Sequence, residues 1–185
     1  MKLDIALVHY PVWNKKQEII GSAVTNLDIH DIARAAKTYG VTTFYLVTPF
    51  LDQQRLVAEI MDHWLHGHGA RYNSDRRQAL ALIKVCSQLT DIYADYRYRN
   101  LPRPITVATS ARDVGQRALS YGGFRQRLRD GEHGLILFGT GWGLAPEVLD
   151  AVDAFLPPLG SGLAYNHLSV RSACAIILDR LLGER

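Results

Sequence analysis

Residues 135–144 read LILFGTGWGL. Positions 135–138 are apolar without alternation, and glycine stands at 139, 141 and 143. An unbroken apolar run followed by glycines predicts a strand buried on both faces that ends in a tight turn. Glycine removes the Cβ where backbone takes positive φ or approaches another group closely. A loop of that kind at the carboxyl end of a parallel strand is where open α/β sheets bind ligands.

Working outward, comparable apolar runs cover Asp4–Val8, Thr42–Val47, Ile105–Thr109, Gly134–Phe138 and Ala154–Leu156. Helical periodicity fills the gaps at Asp28–Tyr39, Gln53–Leu65, Asp75–Leu89, Val114–Arg129 and Pro146–Val152, and a last helix runs from about Leu168 to Leu182. Apolar strands separated by helices predict an α/β fold with a parallel sheet and helices on both faces. Thr25 or Asn26 is placed to cap the first helix, and Gly40, Gly131 and Gly183 stand where helices end. Tyr93–Pro104, polar and with two prolines, reads as an irregular excursion. A length of 185 residues fits one domain spanning 1–185.

Composition narrows the class. Hydrophobic residues make up 48%, enough for a core, and 21 basic against 18 acidic residues leave a formal charge of +3, which permits a polyanionic partner. Cys86 and Cys174 sit in apolar helical patterns, Leu82–Leu89 and Val170–Leu182, and read as small buried hydrophobes. Asp4 interrupts the apolar stretch that a signal peptide needs, and no apolar run reaches a membrane span, so a cytoplasmic protein is expected.

A second ligand-suited loop follows the next strand. Residues 156–173 read LPPLGSGLAYNHLSVRSA, in which a small-residue loop leads into a polar cluster, Tyr165–Ser169, at the start of the last helix. Free amides and side-chain acceptors meet there. The glycines at 139, 141 and 143 also suggest a dinucleotide fingerprint, hence an oxidoreductase. That fingerprint, however, belongs to a first strand–turn–helix unit and a different glycine spacing.

These segments, together with Thr25–Arg34 (TNLDIHDIAR), resemble the motifs of the SPOUT superfamily of RNA methyltransferases, nearest its ribose 2′-O-methylating branch. Leu137–Gly143 and Pro158–Ser172 match that branch's last two motifs in order and character. TNLDIHDIARAA, FGTGWGL and YNHLSVRSA are similar to a small bacterial group of SAM-dependent RNA methyltransferases over essentially the whole chain. The resemblance implies a C-terminal deep trefoil knot within about 134–183, a homodimer packed through it, and S-adenosylmethionine as cofactor. The cofactor would be held by Leu137, Phe138, Gly139, Thr140, Gly141, Gly143, Leu156, Pro157, Pro158, Leu159, Gly160, Tyr165, Asn166, His167, Leu168 and Ser169. Where the branch carries Asn-x-Gly before its arginine, this chain has Asp28-Ile29-His30. Trp142 stands in a loop that normally bears an acid, and Asn166 precedes Ser169 by three positions. The acceptor, a ribose 2′-oxygen or a base nitrogen of tRNA or rRNA, stays open.

By the same likeness Arg34 is the leading catalytic residue and Asn166 the next, with His30, Asp31 and His167 as candidate bases. Helical spacing lets His30, Asp31 and Arg34 share a surface while Ile29, Ile32, Ala33 and Ala36 face the core. RNA contact is expected from clusters of arginine and tyrosine: Tyr93, Tyr96, Arg97, Tyr98, Arg99 and Arg103; Arg125, Arg127 and Arg129; Arg71, Arg76 and Arg77. His63, His66 and His68 lack a completing ligand beyond Asp62, and methyl transfer from a sulfonium needs no metal. A non-catalytic binding module that kept the fold is the second reading.

Overall fold

The computed structural model describes residues 1–112, 117–160, 162 and 165–184. The chain opens with β1 (Lys2–Val8), a small hairpin of β2 (Val12–Trp13) and β3 (Ile19–Ile20), then α1 (Asn26–Thr38) and β4 (Phe44–Val47). Next come α2 (Leu51–Leu65), α3 (His68–Tyr72), α4 (Ser74–Leu80), β5 (Ile83–Cys86), α5 (Leu89–Tyr98) and β6 (Ile105–Ala108). α6 (Tyr121–Arg129), β7 (His133–Gly139), α7 (Pro146–Ala151), β8 (Ala154–Phe155) and α8 (Val170–Leu182) complete it. Six strands form one sheet in the order β5-β4-β1-β7-β6-β8, all neighbours parallel, with β1 at its centre between β4 and β7. The expected α/β class with a parallel sheet is borne out.

Strand alternation divides the core in two. Leu3, Ile5 and Leu7 of β1, Phe44 and Leu46 of β4, and Ile136 and Phe138 of β7 face one side. That side is closed by Ile29, Ile32, Ala33 and Ala36 of α1, Phe124 and Leu128 of α6, and Cys174, Ile177, Leu178 and Leu181 of α8. Ala6, Val8, Tyr45, Val47, Leu135 and Leu137 face the other side, under Ile92 and Tyr96 of α5 and Val148 of α7. Because both faces are covered, the strands read as continuous apolar runs.

Buried polar side chains, Asp4 of β1, Thr106 of β6 and His133 of β7, break the pattern. Asp4 is fully buried in β1; Tyr96 donates its hydroxyl to Asp4 Oδ2 at 2.5 Å, and His133 Nε2 of β7 lies 3.0 Å from the same oxygen without hydrogen-bond geometry. Burial and the Asp4 carboxylate push the Tyr96 hydroxyl far above its ordinary value.

Three expectations are corrected. The segment Asp75–Leu89 is not one helix, since α4 ends at Leu80 and Ile83–Cys86 pairs in parallel with β4 as the edge strand β5. Cys86 therefore ends a strand; its thiol is pushed up to about 11, chiefly by burial. Tyr93–Pro104 is not an irregular excursion, because α5 runs through Tyr98, started by Gln88 and Asp91 capping each other's backbone. α6 starts at Tyr121, capped by Ser120, not near Val114. Residues 117–119 instead run beside β8, with Leu119 N–H donating to Phe155 O at 2.8 Å and Phe155 N–H to Arg117 O at 3.0 Å. Val114, Ser161, Leu163 and Ala164 lie outside the described residues.

Candidate functional site

The carboxyl ends of β7, β6 and β8 are adjacent, so the loops that follow them converge at one end of the sheet. After β7 the chain turns through 139–145. Gly141 has φ +59 and Gly143 φ +107, and a Cβ at Gly141 would lie 3.0 Å from the Trp13 carbonyl oxygen. Both positions thus require glycine. Gly143 N–H donates to Thr140 O at 3.0 Å, closing the turn.

Thr140 anchors this loop inward. Its hydroxyl donates to Val8 O at 3.0 Å, and the Ser22 hydroxyl lies 2.5 Å from Thr140 Oγ1. His9 Nδ1 is 3.0 Å from Ser22 Oγ. If the Thr140 proton goes to Val8, Ser22 donates to Thr140 and His9 Nδ1–H donates to Ser22, leaving Nε2 as the bare nitrogen. Nε2 is buried without a partner among the described residues. Burial pushes His9 down to about 4 against the opposing pull of Asp28 and the Ala23 carbonyl, so it is neutral near pH 7.

The loop after β6 lies alongside. Thr109 donates both its N–H and its hydroxyl to Leu137 O at 3.1 Å, and Ser110 Oγ accepts from Arg112 N–H at 3.0 Å. The loop after β8 carries Pro157, Pro158 and Leu159, the last buried. Asn166, half-buried, packs its amide against Gly160 and donates Nδ2–H to Ala111 O at 3.1 Å. One side chain thereby ties the approach to α8 to the loops after β6 and β8. The backbone amides of Gly141, Leu159 and Gly160 have no hydrogen-bond partner among the described residues. Apolar walls with free main-chain groups suit a purine nucleoside bearing a polar tail.

The remaining expected residues fall into different surroundings. Leu137 and Phe138 are buried, one in each core, and support the loop from below. Leu156 is buried beneath the second loop. Tyr165, His167, Leu168 and Ser169 are exposed, with Tyr165 and His167 edge to face at 5.2 Å. Ser169 caps α8, accepting from Ser172 N–H at 3.2 Å.

On α1, Thr25 caps the helix as expected, accepting from Asp28 N–H at 3.2 Å, and Ile29, Ile32, Ala33 and Ala36 are buried. His30 is half-buried, edge-on to Trp64 at 5.5 Å, and Arg76 lies over the same ring at 4.7 Å. Burial, with Arg76 and Arg34 adding to it against Asp31, holds the imidazole below its ordinary pKa. Asp31 faces Arg171 at 3.5 Å, whereas Arg34 is exposed and makes no ion pair among the described residues. So His30 turns toward α2 and α4 while Asp31 turns toward α8.

Part of each arginine and tyrosine cluster is engaged by other protein groups, whereas Arg71, Arg77, Arg97, Tyr98 and Arg129 are exposed and make no ion pair among the described residues. Tyr96 is buried on Asp4, Arg99 pairs with Asp95 at 3.3 Å, and Arg103 holds Asp153 at 3.0 Å. Arg127 pairs with Glu132 at 2.8 Å, and Arg125 donates to the carbonyls of Arg180 and Leu181.

A model of the SAM-dependent RNA methyltransferase family matches residues 2–183. The chain belongs to that family. Among curated relatives, the chain is 45% identical over 182 residues to a tRNA (guanine-N(1)-)-methyltransferase of Oleidesulfovibrio alaskensis; the match takes in 98% of this chain but 42% of the relative's length. Among solved structures, TrmJ from Z. mobilis ZM4 aligns with a TM-score of 0.65 at 16% identity, covering 100% of this chain and 70% of that one. The A. aeolicus TrmH/SpoU tRNA modifying enzyme aligns with 0.56 at 16% identity, covering 98% and 74%. Both share the fold of this family member.

Sequence reasoning missed Thr109–Ala111, whose loop became visible only once β6 was set beside β7 and β8. It also missed His9, Ser22 and Arg171. Arg171 lay inside the quoted third motif, and its charge at the mouth of an apolar helix was the signal.

Proposed function

We propose that the chain transfers the methyl group of S-adenosylmethionine to a ribose 2′-oxygen or base nitrogen of tRNA or rRNA, working as one domain over 1–185. The observation that supports this is the Asn166–Ala111 hydrogen bond, which ties the segment after β8 to the loop after β6, beside the glycine loop that leaves β7 at the sheet's carboxyl edge. The cradle residues are Gly139–Gly143, Leu156–Gly160 and Tyr165–Ser169. Bound there, the cofactor supplies an electrophilic methyl, so the protein has to align the acceptor and accept its proton.

Arg34 takes the catalytic role in this reading, positioning an RNA phosphate or receiving the proton, with Asn166 orienting the acceptor. Its exposure in a single copy supports a homodimer in which it serves across the interface. Leu27, Leu168 and Ile176, exposed at 61%, 47% and 38%, supply apolar surface near the starts of α1 and α8 and on α8 for such packing. A trefoil knot in the C-terminal third is supported by the position of β8, which lies between β6 and residues 117–119 of the connection leaving β6.

Calorimetry with S-adenosylmethionine tests the cradle; folded protein that takes up none sinks it. Transfer of labelled methyl to total bacterial RNA tests the reaction, and Arg34→Ala is expected to lower transfer at least about a hundredfold with cofactor affinity little changed. Cofactor binding without transfer to any RNA would favour the binding-module reading.

A further inference from the structure

The β2–β3 hairpin plays no part in the main sheet, yet it is bound to the glycine loop. Trp13 N–H donates to Gly143 O at 2.9 Å, Trp142 N–H to Trp13 O at 3.0 Å and Ala145 N–H to Pro11 O at 3.2 Å, while Val12 forms a bridge with Leu144. A movement of the hairpin is therefore a movement of the cradle's edge.

Its tip is hydrogen-bonded within itself and carries two lysines against one glutamate. Asn14 Oδ1 accepts from Lys16 N–H at 2.8 Å and Glu18 N–H at 3.0 Å, Asn14 Nδ2 donates to Glu18 Oε2 at 2.7 Å, and Gln17 turns the chain with φ 62°. Glu18, the sole acid between Tyr10 and Ser22, is thus engaged. Lys15 and Lys16 are exposed and make no ion pair among the described residues. Around the hairpin's base large side chains stand uncovered: Tyr10 at 41%, Phe50 at 43% and Trp142 at 51%. Tyr10 and Phe50 meet edge to face at 6.2 Å. Exposed aromatics at the base of an arm and lysines at its tip are a combination suited to single-stranded nucleic acid, rings stacking on unpaired bases and cations meeting phosphates.

We propose that the β2–β3 hairpin is an RNA-contact arm: Lys15 and Lys16 meet phosphates of an unpaired RNA segment, and Tyr10, Phe50 and Trp142 stack on its bases beside the glycine loop. This rests on the methyltransferase reading of the cradle.

The test measures fluorescence anisotropy of a short labelled oligo(U) RNA and of unfractionated bacterial tRNA across a salt series, on wild type, Lys15→Ala/Lys16→Ala and Lys15→Arg/Lys16→Arg. The alanine pair is expected to weaken binding about tenfold and to lower the salt slope by about 1.4, two phosphates' worth for a single strand. The arginine pair is expected to retain wild-type affinity. Calorimetry with S-adenosylhomocysteine on the same proteins should be unaltered. RNA affinity equal to wild type in the alanine pair, or a change in sedimentation without a change in RNA affinity, overturns the arm. Wild type that binds neither RNA also overturns it, whereas loss of cofactor binding in wild type counts against the cradle alone.

Discussion

Arg171, in the first turn of α8, places Nη1 3.2 Å from Oδ1 of Asp28 in the first turn of α1, and its Nε 3.5 Å from Asp31. Asp28 is nearly buried, accepts from the Thr25 hydroxyl at 2.7 Å, and sits at a helix N-terminus, where the dipole favours a carboxylate. One guanidinium thus fixes the start of the last helix against the start of the first. Asp28 occupies the position at which the ribose-methylating branch carries asparagine. The acid and its arginine form a pair that a neutral side chain would not hold in the same way.

Replacing Arg171 by Met should destabilise the protein, and Asp28→Asn should do so less. A double-mutant cycle in urea is expected to return a coupling of about 0.5–2 kcal/mol, reduced because the arginine is partly solvated. Additive effects would mean that the contact contributes nothing.

Thr140→Val removes the hydroxyl shared by Val8 and Ser22 while keeping the side chain's shape. Affinity for S-adenosylhomocysteine should fall about tenfold, one hydrogen bond's worth, and Thr140→Ser should restore it. Equal affinities by calorimetry would detach the Thr140 hydroxyl from the loop's geometry.

His9 predicts a pH dependence. Its pKa falls from 6.5 in the unfolded chain to about 4 in the folded one, so the unfolded state binds more protons between those values. Stability therefore declines as pH drops from about 6.5 toward 4, by at most about 3 kcal/mol from this group. Urea unfolding of wild type and His9→Asn across that window should diverge in slope. Parallel curves would show that His9 is not held neutral.

Tyr96→Phe deletes the hydroxyl that donates to Oδ2 of buried Asp4. A loss of about 1–3 kcal/mol is expected, since a buried carboxylate is left short of a donor. Asp4→Asn in the same background should recover part of it, read as thermal unfolding midpoints.

Much of the fold is legible residue by residue. Leu135–Phe138 announces a doubly covered strand, Thr25 its helix cap, and the glycines at 141 and 143 a turn whose φ values only glycine adopts at no cost. Ile83–Cys86 was hidden because a four-residue edge strand beside a helix shares the helix's apolar content, and only pairing with β4 makes it a strand. Arg103 and Arg125 look free in a linear reading, because nothing local indicates that Asp153, 50 residues away, or the carbonyl of Arg180, 55 residues away, will lie within reach.

Periodicity and turn chemistry, which act between residues a few positions apart, determined the elements, their order and the loops able to take a ligand. Tertiary structure alone decided that Asn166 reaches Ala111, 55 residues away, that Arg171 finds Asp28 across 143 residues, and that Trp13 latches the glycine loop. Such contacts follow from strand order and helix placement, which the whole core selects when it buries both faces of the sheet.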